Sequence, residues 1–246
     1  MIETPMSLAL SAFSFLLTVI WGPPLLRVLR NLKIGERIRI DGPRRHLSKL
    51  GTPTMGGILI VIPVLFLTIL FNAGSLFGLS VFGNSILVPL IVLILYALIG
   101  SVDDWAGLRG QKDSEGLSPR MKLIAQTIVA LGTALVLHYF LHVPELYLPG
   151  LNFEISLGVL YIPIAMFIIV ATSNAINLTD GLDGLAGLIS VTAFITYGAI
   201  AIMQGQIFLA RFCFILVGAI FGFLWFNVYP AELFMGDTGS LSLGAA

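Results

Sequence analysis

The residues best equipped for chemistry are carboxylates set into a nearly uncharged sequence: Asp103-Asp104, Asn177-Leu-Thr-Asp180-Gly-Leu-Asp183-Gly184, and Asp237 within Phe234-Met-Gly-Asp-Thr-Gly-Ser-Leu. Paired carboxylates at a water-facing helix end suit Mg²⁺ and the phosphates it bridges, because a hard cation takes oxygen ligands. Like charges this close also raise one pKa and can yield a general base. Solvated helix-end charge is the plainer account of the same pair. On a helix, Asn177, Asp180 and Asp183 recur every three residues and share one face; a polar turn between two membrane helices would use the same residue types. Asp237 lies between Gly236 and Gly239, where backbone bulk is least; a helix N-cap would also explain it. Phe234 can stack on a base or belong to an interfacial aromatic belt. In His46-Leu-Ser-Lys49-Leu-Gly-Thr52-Pro-Thr54, cations can neutralise phosphate and hydroxyls can donate to it, or the charges serve only to orient the chain. His138 and His142 lie away from the aspartates and take no role.

These groups need a scaffold, and composition identifies it. Of 246 residues, 57% are hydrophobic and 11% charged, against about 25% charged in soluble domains. The chain reads as an all-α polytopic integral membrane protein. The first apolar segment lacks a basic leader and a small-residue cleavage site, so it is expected to stay as a span. Cys213, the single cysteine, reads as a small buried hydrophobe.

Uncharged runs predict about seven complete spans: Thr4–Leu26, ended or kinked by Pro23-Pro24, then Gly56–Phe71, Ile86–Ser101, Leu123–Leu141, Ser156–Ile176, Leu185–Met203 and Phe212–Val228. Arg211 is expected in the turn before the seventh, and the start of an eighth near Gly239. Alternation over Leu146–Ile155 predicts a small hairpin. Of 13 Lys plus Arg, eight lie in Arg27–Lys49 and four in Arg109–Lys122. Both basic loops fall on one side, which the positive-inside rule makes cytoplasmic, with the N-terminus outside. Parity then brings Asp103, Asp104, Asp180, Asp183 and Asp237 to the cytoplasmic face, expected within one cleft about 10 Å across, the size a metal-plus-diphosphate site requires.

Taken together, Asp-Gly-Pro-x-x-His (Asp41–His46), Gly-Thr-Pro-Thr-Met-Gly-Gly (Gly51–Gly57), Asp103-Asp104, Asn177–Gly184 and the Asn227–Leu241 segment are specific. They resemble, in order and over nearly the whole chain, the phospho-N-acetylmuramoyl-pentapeptide transferases of the polyprenyl-phosphate N-acetylhexosamine-1-phosphate transferase family. The resemblance implies a single transmembrane transferase domain over residues 1–246 in the bacterial cytoplasmic (inner) membrane. It implies transfer of phospho-N-acetylmuramoyl-pentapeptide from a UDP carrier to undecaprenyl phosphate, releasing UMP, with Mg²⁺ as cofactor. By motif, Asp103, Asp104 and Asp237 are the catalytic residues, with Asp103 the better group to deprotonate the lipid phosphate and Asp237 the metal ligand. Lys49, Thr54, Lys122, Asn177, Asp180, Asp183, Asn227 and Phe234 are the substrate-binding positions, with Phe234 stacking on uracil. The implied partners are the UDP-linked muramoyl-pentapeptide, undecaprenyl phosphate and the bilayer, with no nucleic acid; a homodimer is a further expectation.

Two departures accompany the resemblance. The family commonly places a lysine shortly after the aspartate pair, where this chain has Arg109. It also carries a histidine-rich loop and further helices beyond the eighth, so the sequence reads as truncated at its C-terminus. The rival readings are a sister transferase using UDP-N-acetylglucosamine and a cation-coupled transporter with an ion site at Asp180 and Asp183. Transporter charges lie near the bilayer midplane, whereas these fall at expected helix ends.

Overall fold

A computed structural model describes residues 3–32, 34, 51–76, 86–109, 116–143, 145–147 and 154–246. Lys49, the Asp41–His46 motif and most of the first basic loop lie outside these. Eight helices are described: α1 (Glu3–Asn31), α2 (Gly57–Leu76), α3 (Leu87–Arg109), α4 (Pro119–Tyr139), α5 (Tyr161–Thr179), α6 (Leu185–Met203), α7 (Ile207–Asn227) and α8 (Gly236–Ala245). Six of them are long and apolar enough to cross a membrane, and α2 is apolar over Gly57–Phe71. The expected hairpin is present as β1 (Glu145–Tyr147) paired antiparallel with β2 (Glu154–Ser156). The polytopic helical membrane architecture stands.

Several boundaries differ from expectation. α1 runs through Pro23-Pro24 to Asn31; membrane helices tolerate proline where neighbouring groups recover the freed carbonyls, and Arg27 Nε donates to the Pro23 carbonyl at 3.4 Å. α3 continues past Ser101 to Arg109, so Asp103 and Asp104 lie within it rather than after it. Arg211 sits in α7, not in the preceding turn. α8 starts at Gly236, three residues before the expected position. At Asp103 and Arg211 the cause is the same: a charge marks where a helix leaves hydrocarbon, not where its hydrogen bonding stops.

At the centre stands α7, buried along most of its length, with Phe212, Leu216, Ile220 and Phe223 nearly inaccessible. Its face against α1 is made of small residues. A side chain on Gly218 would collide with the Ser11 carbonyl, and one on Gly222 with Thr18. Close approach of this kind drives helix association where lipid offers no hydrophobic gain. Across the same seam Ser14 Oγ donates to the Ile215 carbonyl at 2.8 Å.

The ten-residue α8 is inserted among α2, α3 and α5. Cβ atoms on Gly57, Gly100 or Gly244 would strike backbone of Gly239, Asp237 or Thr172 respectively. Glycine at these crossings lets α8 seat deeply, which fixes where Asp237 points.

Candidate active site

Four helices meet at one polar cluster. α3 supplies Asp103 and Asp104 near its C-terminal end. α4 begins just beside it: Ser118 caps the helix by accepting from Met121 N at 3.3 Å, with Pro119 in the first turn. That start places Lys122 one turn in, facing α3 and α8. Gly116, at φ +80°, carries the chain past Asp103, and the next amide, Leu117 N, donates to Asp103 Oδ1 at 2.8 Å. Lys122 Nζ bridges two carboxylates, donating to Asp103 Oδ2 at 3.4 Å and also to Asp237 Oδ2. From the other side, Asn177 Nδ2 on α5 donates to Asp237 Oδ1 at 2.7 Å and to Ser240 Oγ at 2.8 Å. Asp237 is therefore held at both oxygens. Burial would raise its pKa, but the Lys122 ammonium and the Asn177 amide outweigh burial and hold the carboxyl below its usual range.

The aspartate pair divides in two. Asp103 turns toward Lys122, whereas Asp104 faces the N-terminus of α8. Asp104 Oδ1 accepts from Asp237 N at 3.0 Å, and Oδ2 accepts from Thr238 N at 3.0 Å and Thr238 Oγ1 at 2.7 Å. A carboxylate at a helix N-terminus satisfies amides left without intrahelical partners and complements the helix dipole. In this geometry Asp104 is a positioning residue for Asp237.

The segment preceding α8 is pinned by backbone. Phe234 N donates to the Pro53 carbonyl at 2.8 Å, Gly56 N to the Phe234 carbonyl at 2.8 Å, and Gly57 N to the Met235 carbonyl at 2.9 Å. This ladder brings Thr54 and Phe234 to the same end as the aspartates; a Cβ on Gly236 would lie 2.6 Å from Asp104 Oδ2 and 2.8 Å from Thr54 Oγ1. Phe234 is half-buried. Asn227, 2% exposed, is a brace: its Oδ1 accepts from Gly184 N at 2.9 Å and its Nδ2 donates to the Leu233 carbonyl at 2.8 Å. Asp183 Oδ2 accepts from Ala231 N at 3.3 Å, so it tethers the α5–α6 turn to the α7–α8 loop. Asp180 closes α5 in that same turn.

The structure thus gathers Asp103, Asp104, Asp237, Lys122 and Asn177 into one hydrogen-bonded cluster, with Thr54 against it. Asn227 and Asp183 form a second set of contacts linking the adjoining loops. Lys49 lies outside the described residues. Sequence reasoning missed Thr238, which bonds Asp104, and Ser240, which receives Asn177; hydroxyls in a Gly-Asp-Thr-Gly-Ser run carry little signal by themselves. It also missed the Gln126–Asn174 contact described below, although amides inside apolar runs are a usable signal.

Could this cluster hold a divalent cation? Among the described residues no three His, Cys, Asp or Glu side chains form a ready metal cage. Mg²⁺ does not need one, since it keeps several waters and takes one or two carboxylates plus substrate phosphate. Asp103 Oδ2 and Asp237 Oδ2 already converge on one cationic group, the Lys122 ammonium. Two carboxylates share this one ammonium, an excess of negative charge when both are ionised. The donor set is all oxygen and fits a hard cation.

With the geometry in place, comparison with known proteins is informative. The model of glycosyl transferase family 4 matches residues 86–246, and phospho-N-acetylmuramoyl-pentapeptide-transferase signature 1 matches residues 49–61. The chain is 45% identical over 247 residues to the phospho-N-acetylmuramoyl-pentapeptide-transferase of Chloroflexus aurantiacus, covering 97% of this chain and 65% of that one. The protein of the same name from a Geobacillus species is 44% identical, over 100% of this chain and 74% of its own. That of Bacillus subtilis is 42% identical, over 94% and 70%. The chain spans about 65% of the length of the Chloroflexus relatives it matches.

Proposed function

The chain belongs to glycosyl transferase family 4, among the phospho-N-acetylmuramoyl-pentapeptide transferases, and from that footing we propose that it transfers phospho-N-acetylmuramoyl-pentapeptide from its UDP carrier to undecaprenyl phosphate, releasing UMP. This is the first membrane step of peptidoglycan synthesis. The proposed setting is the bacterial inner membrane, with seven spans and the start of an eighth, the N-terminus outside and the site facing the cytoplasm. The clustering of basic residues in Arg27–Lys49 and Arg109–Lys122 supports that orientation.

The observation that carries the reading is the Asp103–Lys122–Asp237–Asn177 cluster, contributed by four helices. Phosphoryl transfer needs alignment and charge neutralisation more than covalent machinery. The lipid phosphate oxygen forms the new bond to the sugar-side phosphorus, and the bond from that phosphorus to the UMP oxygen breaks. Asp103 takes the proton of the lipid phosphate. Lys122, exchanging a carboxylate for phosphate, neutralises charge on the transferred group. Asp237, with Asp103 beside it, would hold the proposed Mg²⁺, and the cation would supply Lewis-acid neutralisation of the diphosphate. Asn177 keeps Asp237 aimed. Asp180, Asp183 and Phe234 form the nucleotide side, with Phe234 against uracil; Thr54 and Lys49 line the same cleft, and Asn227 braces the loops that carry it.

The test is UMP release by the full-length protein with undecaprenyl phosphate, offering UDP-muramoyl-pentapeptide or UDP-N-acetylglucosamine, with and without Mg²⁺. Release from the muramoyl donor, dependent on Mg²⁺, is expected. Release from UDP-N-acetylglucosamine alone would refute the donor assignment, and undiminished release without divalent cation would refute the metal.

A further inference from the structure

Below the polar cluster lies a second tier of hydrogen bonds joining the same four helices. Tyr96 on α3 donates its hydroxyl to the Gln126 carbonyl on α4 at 2.9 Å. Asn174 Nδ2 on α5 donates to Gln126 Oε1 at 2.7 Å. Ser173, beside Asn174, donates Oγ to the Leu241 carbonyl on α8 at 2.9 Å. The two tiers are in register. Gln126 follows Lys122 by four residues, Asn174 precedes Asn177 by three, and Leu241 follows Asp237 by four. Three- and four-residue spacings put each pair on one face, one turn apart.

Gln126, Tyr96 and Ser173 are fully buried, inside helices long and apolar enough to cross a membrane. Gln126 Nε2 has no hydrogen-bond partner among the described residues. An amide kept at such depth with a spare donor is costly. Packing alone would be better served by leucine.

We propose that the Gln126–Asn174 pair is a positioning device that sets the gap between α4 and α5, and so holds Lys122 and Asn177 at opposite oxygens of Asp237. Neither residue touches substrate. Asn174 is further fixed by donating to the Val170 carbonyl at 2.8 Å, which leaves its amide little freedom to follow a displaced partner. If α4 moves away, Lys122 is withdrawn from Asp237 while Asn177 stays. The inference rests on the proposed transfer reaction for its kinetic consequence, but not for its geometric one.

Two measurements on the full-length protein decide it. In a cysteine-free background that includes Cys213→Ser, nitroxide labels on Met121→Cys in α4 and Leu178→Cys in α5, both exposed positions, report the helix gap. Gln126→Leu or Asn174→Leu should broaden or displace the distance distribution; an unchanged distribution overturns the proposal. Kinetically, each leucine variant should lose kcat by about ten- to a hundredfold, the scale of a misplaced catalytic group. KM for the UDP-sugar should change far less. The exchanged pair, Gln126→Asn with Asn174→Gln, should recover part of both signals. Loss of activity only in proportion to loss of folded protein, or an exchange variant no better than the singles, would refute the pair's role. If the wild-type protein released no UMP from either donor, the transfer reading would fall, and the label distances would still decide the geometry.

Discussion

Asp104→Ala separates the two members of the acidic pair. Asp104 accepts two backbone amides and one hydroxyl from the first turn of α8. Loss of a capping side chain costs about 0.5–2 kcal/mol, and the additional Thr238 hydroxyl bond about 1 kcal/mol. The expected destabilisation is then about 1.5–3 kcal/mol. For a chain of this length each kcal/mol moves Tm by about 2–4 °C, so the midpoint should fall by roughly 3–12 °C. The single cysteine gives the assay: Cys213 is 3% exposed, so a fluorogenic maleimide in detergent reports its uncovering on heating. Asp103→Ala is the control, because Asp103 loses one amide and a long contact to Lys122. Its midpoint should shift less than half as far while turnover is lost. Equal midpoints for Asp104→Ala and wild type, or a larger shift for Asp103→Ala, would refute the capping argument.

Other outcomes follow from the same contacts. Asp237→Asn should be the most damaging conservative change and should raise the Mg²⁺ concentration needed for activity; normal turnover and Mg²⁺ response there, with both lost in Asp180→Asn, would move the metal to the α5–α6 turn. Asn227→Leu strands the Gly184 amide and the Leu233 carbonyl, so it should cost about 2–6 kcal/mol at about 1–3 kcal/mol per buried unsatisfied group; an unshifted thermal midpoint would contradict the brace. Gly57→Ala forces a Cβ into Gly239 backbone and should unseat α8, whereas Gly132→Ala, in α4 with open space around it, should be neutral or stabilise by up to about 1 kcal/mol. Equal midpoints for these two variants would show that α8 does not need the close crossing.

The carboxylates of the site were legible because charge inside an apolar chain is conspicuous: Asp103, Asp104 and Asp237 are in contact as expected, and Asn177 joins them. Their division of labour was not. Whether Asp103 or Asp104 faces Lys122 depends on where α8 enters, 133 residues from Asp104 to Asp237, and no local pattern encodes that approach. Asn227 and Asp183 were read as substrate positions from their motifs, and their loop-bracing bonds emerge only once the α5–α6 turn and the α7–α8 loop are adjacent. Helix existence was readable from uncharged runs. Helix ends were not, since Pro23-Pro24, Asp103-Asp104 and Arg211 each marked a boundary that hydrogen bonding ignored. Ser118-Pro119 was a legible start for α4 that the first charge-free residue, Leu123, obscured.

The seam between α1 and α7 also bears on how the molecule is made. Ser14 and Ile215 are bonded across 201 residues, so α1 emerges from the ribosome long before its main neighbour exists. Contacts so distant in sequence close slowly and leave intermediates exposed. In the meantime, the surface of α1 carrying Ser7, Ser14 and Thr18 must wait among lipids or beside an insertion factor until five further helices have entered. Capture of the first helix by the seventh thus comes late in integration, and the glycines of α7 are the latch.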